Sequence, residues 1–533
     1  MLEETLIAGT PPLSRRTRVS GRDSRLNPIR LVRISFLVRP RYARRFHSIR
    51  RFAAMIALPF LPATALPTAP TLAAAGTAAA VALLLALPAE AQRRDLERII
   101  QRQVLDNGLE VIVVESRAVP LATVELDVKN GAFTQTPEFA GLAHLYEHMF
   151  FRANRDHPEP GRFMIRAGEL GAAINGTTRE EVVNYYMTLP ADSLEPALRL
   201  MNSAARAPLF LDEEMAAERL VVLGEYDRAE SSPFFAFENA MTRALYPGNF
   251  SRKNTIGDRD VVATATPEMM RTIQRKYYVP NNTVLIVTGD IDPAQVFASA
   301  RRIFGDWARG ADPFVADPIP PIPAIRADTA VIVEAPVSAI SVMQQWQGPS
   351  VRQDAQATYA ADVFSDVLNN ASSGFQRRLV DSGLWQAVGV NYYTLNNVGP
   401  ISISGQTTPE KLKAALAALD AEIARFAEPG YISDEELTFA KAERAVSSAY
   451  GNERVSGLTH TIGFWWSVAD LEYFMNYVDE MADQTHADLR RYASTYIVGK
   501  PRVTGVLLAP ATRQQLRLTP ADLAPTTPGK VVQ

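Results

Sequence analysis

The segment His144-Leu145-Tyr146-Glu147-His148 combines, within five residues, side chains that can do metal chemistry. Residues 140–153 contain no proline and are rich in Leu, Ala, Met and Phe, which predicts a helix. On a helix, His144 and His148 lie one turn apart on the same face. Two neutral imidazoles so placed can share one zinc ion at about 2.0–2.1 Å each. Glu147 projects beside them, able to take a proton from a metal-bound water without itself ligating. The order H-x-x-E-H inverts the H-E-x-x-H order in which two histidines of a helix hold zinc. An ordinary surface helix with a His–Glu ion pair has the same spacing. Leu142, Met149, Phe150 and Phe151 flank the pair, however, and predict a partly buried setting.

A zinc site of this kind needs a third protein ligand. The chain has no cysteine, which excludes thiolate ligands, disulfides and cysteine nucleophiles, and leaves histidine and carboxylates. A second helix is predicted from Asp212, with Asp212 as its N-cap ahead of Glu213 and Glu214. It carries Glu218 and Glu225, seven residues apart and therefore on one face two turns from each other. Leu220, Val221, Val222 and Leu223 give these acids apolar neighbours, and a carboxylate in such surroundings requires a cation or a donor.

These helices must be positioned by a larger frame. At 533 residues the chain is too long for one ordinary core. Residues 92–308 and 329–510 read as similar halves, separated by a proline-rich linker at 309–328 and followed by a tail, 511–533, without predicted structure. The first half opens with strands at Gly108–Glu115 and Ala122–Val128, the second at Ala330–Glu334 and Ile340–Gln347. Each half closes with a helix, a Tyr (Tyr278, Tyr496), a proline-containing turn and a β-branched strand. Further helices are expected over Glu195–Ala205, Asp212–Ala229, Pro267–Tyr277, Pro409–Phe426 and Ser433–Ser448. Runs of strands and runs of helices make this an α+β chain. Pro313, Pro318, Pro320, Pro321 and Pro323 exclude helix and central strand from the linker.

With these elements in place, the chain resembles the pitrilysin family of zinc peptidases, which includes insulin-degrading enzyme and mitochondrial processing peptidase. In that family a Glu ligand follows H-x-x-E-H by about 77 residues, which falls on Glu225, and a supporting Glu seven residues earlier matches Glu218. Gly171 to Tyr186 is similar to the family's G-x-x-x-N-A-x-T stretch followed by Tyr-Tyr, an edge strand that holds substrate backbone by β-augmentation. Asn175 matches the Asn near the scissile bond. Gly176 replaces the usual Ala and Val183 a usual Thr. The resemblance implies two homologous domains, each a mainly antiparallel sheet packed against helices, closing as a clamshell around a peptide. Ser372 to Gln386 is similar to the stretch in which self-sufficient members place an Arg and a Tyr on the substrate carbonyl. Val380 and Gln386 stand at those positions here, and the second half has no H-x-x-E-H of its own.

The expected activity is therefore zinc-dependent hydrolysis of peptides or unfolded segments by His144, His148 and Glu225 as ligands and Glu147 as base. A homologous partner subunit would supply the missing Arg and Tyr. The alternative is a non-catalytic, peptide-holding or assembly subunit of the same family. Residues 1–91 carry 13 Arg and four acids, leaving 42 basic and 54 acidic residues in the body, a balance that does not favour nucleic-acid binding. The apolar run Ala78–Leu87, ending in Ala89-Glu90-Ala91, reads as an export signal with Gln92 as the mature start and the periplasm as destination. A short membrane anchor or an organellar presequence are the competing readings of this leader. After it, no run is long and apolar enough to span a bilayer.

Overall fold

The computed structural model describes residues 96–451 and 455–523. The leader and the expected cleavage site lie outside them. The first half builds a six-stranded sheet from β1 (Ile100–Val104), β2 (Glu110–Glu115), β3 (Leu121–Val128), β4 (Ala173–Thr178), β5 (Val183–Pro190) and β6 (Thr283–Gly289). Its order is β1-β2-β6-β3-β5-β4. Only the β2–β6 pair is parallel. The second half builds a five-stranded sheet from β7 (Thr329–Glu334), β8 (Ile340–Gln347), β9 (Ala387–Tyr392), β10 (Pro400–Thr407) and β11 (Val503–Leu508), in the order β7-β11-β8-β10-β9. There β11 pairs parallel with β7 and antiparallel with β8. The two orders superpose strand for strand once β1 is set aside, with β9 in the place of β4. This is an α+β architecture of two mainly antiparallel sheets packed against helices.

Both faces of the first sheet are covered, and the period of two in the strands explains how. Val111, Val113, Leu285 and Val287 face a core shared with α1 (Leu142–Phe150) and α2 (Asp212–Glu230). Ile112, Val114, Val284 and Ile286 face the opposite side. They are covered by Leu458, Ile462 and Trp466 of a helix from the second half, Val455–Val468. The exchange is reciprocal. A helix of the first half, α3 (Pro233–Leu245), lays Phe237, Met241 and Leu245 on Val503 and Leu507 of β11. The helix Val455–Val468 is hereafter α4. Glycines stand where these crossings are closest. A Cβ on Gly463 of α4 would lie 2.4 Å from Asp127 Oδ1, and one on Gly505 of β11 would lie 2.2 Å from Met241 Sδ.

Most helix expectations match the structure, and Pro267–Tyr277 matches to the residue. Three local expectations change. Asp212 is the first helical residue and not the N-cap, which is Leu211 with no side-chain cap. Inside the proline-rich linker, Pro313–Ala316 forms one helical turn, because Asp312 accepts from the amides of Phe314 and Val315 and Pro313 sits where no amide is needed. After Pro510 the chain is ordered to Leu523: helix Pro510–Leu516 ends at Arg517 with φ +50, and Leu518 and Leu523 are buried in the second core. Residues 524–533 lie outside the described residues.

Candidate metal centre

Helix α1 starts abruptly after Gly141, which has φ +94, where a Cβ would lie 2.8 Å from the Ile256 carbonyl oxygen. The Gln135 side-chain oxygen accepts from the amides of Gly141 and Ala143 at 2.9 and 3.3 Å and so fixes the helix entry. Nearly every residue of α1 is buried. Tyr146 stacks on Tyr278 with ring centroids 4.0 Å apart, and Phe150 on Tyr185 at 3.6 Å. The aromatic packing leaves the His144–His148 face turned toward α2.

There the two helices meet in matched stripes. Glu214, Glu218 and Glu225 fall within a narrow stripe of α2, given 100° per residue. Glu225 Oε2 lies 3.5 Å from His144 Nε2 and 3.6 Å from His148 Nε2. Among the described residues, His144, His148 and Glu225 form the one group of three metal-capable side chains with all donor atoms within 4.8 Å of one another. Separations of 3.5–3.6 Å are long for hydrogen bonds. They match instead the roughly 3.3 Å edges of a tetrahedron with 2.0–2.1 Å metal–ligand bonds. The donor set, two imidazoles and a carboxylate, suits zinc. Glu218 Oε2 meets His148 Nδ1 at 3.1 Å, the contact that fixes which imidazole nitrogen faces the centre. Glu214 accepts from the Ala153 and Gly161 amides, tying down the chain that leaves α1.

The sequence-based expectation of apolar surroundings for these acids needs correction. Leu220 and Val221 are exposed, and of the four-residue apolar run only Val222 is buried. Glu218 is instead enclosed by contact with α1. The electrostatics follow from this enclosure. Burial, with the neighbouring His148 charge, pushes the His144 imidazole down to about 4. Burial also disfavours charge on His148, but the carboxylates of Glu218 and Glu225 outweigh it and raise the group to about 9. Glu147 is raised to about 7, chiefly by burial.

Glu147 is held from the other side by β4. Thr178 donates its hydroxyl hydrogen to Glu147 Oε2 at 2.7 Å. A Cβ on Gly176 would lie 2.8 Å from Glu147 Cγ and 2.9 Å from its Oε1, so the missing side chain leaves room for the carboxylate. Asn175 and Gly176 lie on β4, which pairs with β5 and, among the described residues, forms the edge of the sheet. The seven candidate residues are thus gathered by three elements: α1, α2 and β4. Three participants were not anticipated: Thr178, Glu214 and Arg152, whose Nη2 lies 2.6 Å from Glu218 Oε1. Arg152 continues the four-residue step His144–His148–Arg152, a signal present in the sequence.

In the second half, the positions of interest carry no comparable chemistry. Val380 packs against the core, and the Gln386 backbone N–H donates to the Gln406 carbonyl just before β9. Among the arginines and tyrosines near these positions, Arg377 donates to the Ser372 carbonyl at 2.7 Å, Arg378 is held by both oxygens of Glu422 at 2.6 and 2.8 Å, and the Tyr392 hydroxyl donates to the Pro349 carbonyl.

This fold coincides with that of a known family. The family described as "Insulinase (Peptidase family M16)" matches residues 110–258, and "Peptidase M16 inactive domain" matches residues 264–444. The chain belongs to this peptidase family, the pitrilysin family. It is 23% identical over 362 residues to a protein of Rickettsia felis named "Uncharacterized zinc protease", covering 67% of this chain and 85% of that one. Among solved structures, a protease from Helicobacter pylori has the same fold, with a TM-score of 0.69 and 21% identity, over 77% of this chain and 99% of the other. The periplasmic protease PqqL from Escherichia coli aligns with a TM-score of 0.66 and 18% identity, over 81% of this chain and 52% of its own.

Proposed function

We propose that the chain is a zinc-dependent endopeptidase acting on peptides or unfolded segments. The observation that carries this reading is the convergence of His144, His148 and Glu225 within 4.8 Å, beside Glu147 and an open sheet edge. His144 and His148 would hold zinc through Nε2, with Glu225 as third ligand and Glu218 as support. Bound zinc would lower the pKa of a coordinated water and polarise the scissile carbonyl. Glu147, raised to about 7, is matched to accepting a proton and returning it to the leaving amine near neutral pH. Thr178 orients it. Strand β4, with Asn175 and Gly176, would take the substrate backbone as an added strand, which reads main chain more than side chains.

The second half offers no free Arg and Tyr at the aligned positions, since Val380 and Gln386 stand there and Arg378 and Tyr392 are engaged elsewhere. We infer that a homologous subunit supplies them. The zinc-protease name of the Rickettsia felis relative supports the metal, and the periplasmic PqqL neighbour supports export. No helix among the described residues is long and apolar enough to cross a membrane. A purely peptide-holding role is the less favoured alternative, because every metal-binding element is present. The test measures zinc content and hydrolysis of an unstructured peptide, with and without a candidate partner subunit. One zinc per chain and partner-dependent turnover are expected. Full activity of the chain alone would sink the partnership, and absence of zinc uptake would sink the metal reading.

A further inference from the structure

We propose that Arg152 is a positioning residue of the metal centre, holding Glu218 so that His148 presents Nε2 toward the ligand set. The proposal rests on the zinc-peptidase reading above. Arg152 follows His148 by one helical turn, so the stripe His144–His148–Arg152 runs antiparallel to Glu214–Glu218–Glu225. Glu225 spans the two histidines, and Glu218 spans the next pair. One Glu218 oxygen meets His148 Nδ1 at 3.1 Å, the other meets Arg152 Nη2 at 2.6 Å. Both oxygens are thereby engaged, and the carboxylate plane is fixed by two anchors, one on α1 and one just past its C-cap Phe151.

The charge on Glu218 needs this anchor. Its residue is 5% exposed, and Glu214 and Glu225 share its helix face. A buried carboxylate beside other acids turns away from them unless a cation holds it in place. If it turned, Nδ1 of His148 would lose its acceptor, and the imidazole could place its proton on the nitrogen needed for the metal. Arg152 is suited to the task because a guanidinium stays charged and its planar fork fixes direction.

The test uses the full chain, stripped of metal, with zinc affinity read by competition against a chelating dye. Arg152→Met keeps the aliphatic stem and loses the charge. We expect zinc affinity to fall about 10- to 100-fold, with the metal-free chain still unfolding in one cooperative transition. Arg152→Lys should recover most of the loss. In peptide turnover, kcat should fall with KM unchanged. Arg199→Met, the same change at an exposed arginine paired with Glu195 away from the centre, serves as the control and should bind zinc as the wild type does. Wild-type zinc affinity in Arg152→Met would overturn the proposal, as would an equal loss in Arg199→Met. If Arg152→Met does not fold, Arg152→Gln decides: it keeps a donor and removes the charge, so a loss of about tenfold or more supports the charge anchor and affinity within about threefold of wild type overturns it. Failure of the wild type to bind zinc would instead remove the underlying reading.

Discussion

Thr178 and Glu147 make a two-atom contact across elements, and its removal has a definite expected result. Thr178→Val keeps the shape and deletes the 2.7 Å hydrogen bond. Losing a bond to a carboxylate costs about 1.5–3 kcal/mol, so peptide turnover should drop roughly 10- to 100-fold while zinc content stays at the wild-type level. His148 yields a prediction about protons. Its metal-free value of about 9 means the ring is protonated at pH 7, whereas a metal ligand must be neutral. Zinc uptake at pH 7 should therefore release protons, measurable by calorimetry in two buffers of different ionisation heat, and zinc affinity should rise as pH rises through neutrality. The same residues show what a sequence reveals. His144, Glu147 and His148 were legible because one helical turn fixes their relation; the spacing of Glu218 and Glu225 gave only a shared helix face, and their roles came from the family resemblance. Thr178 and Glu214 were not, since each contact joins elements whose approach is set by tertiary packing.

At the scale of elements, the crossing helices carry the prediction. Ile462 of α4 is fully buried against the outer face of the first sheet. Ile462→Ala should cost about 2–5 kcal/mol, read by denaturant unfolding. Gly463→Ala adds only a methyl group, but that atom meets the Asp127 carboxylate, so it too should destabilise, by about 1–3 kcal/mol. The strands and most helices were legible from their periods. The exchange of α3 and α4 was not, because an amphipathic stripe says that a face is buried and nothing about which sheet buries it. The proline-rich linker was legible as a boundary, yet the cap at Asp312 produced a helical turn that proline counting excluded.

For the whole molecule, reciprocal burial of α3 and α4 implies that neither half keeps a covered sheet alone. Calorimetry of the chain should show one cooperative transition, and residues 96–308 expressed separately should expose Ile112, Val114, Val284 and Ile286 and aggregate. Stability should also depend on pH through the second half. Burial raises Asp362 from 3.8 to about 7, even though the Tyr477 hydroxyl donates to it at 2.7 Å. The folded chain thus binds this proton more tightly than the unfolded chain, and stability falls as pH rises from about 4 to about 7. Asp362→Asn removes that fall; it should stabilise by roughly 1–3 kcal/mol at pH 8 and leave stability at pH 4 nearly unchanged. The central claim, that this fold brings three ligands and one base together for peptide hydrolysis, is tested most directly by Glu147→Gln. Zinc content and peptide turnover are measured on the same preparation, with the partner subunit present if turnover requires it. The account predicts wild-type zinc with turnover reduced by at least about 100-fold. Unchanged turnover in a zinc-loaded Glu147→Gln chain would contradict it.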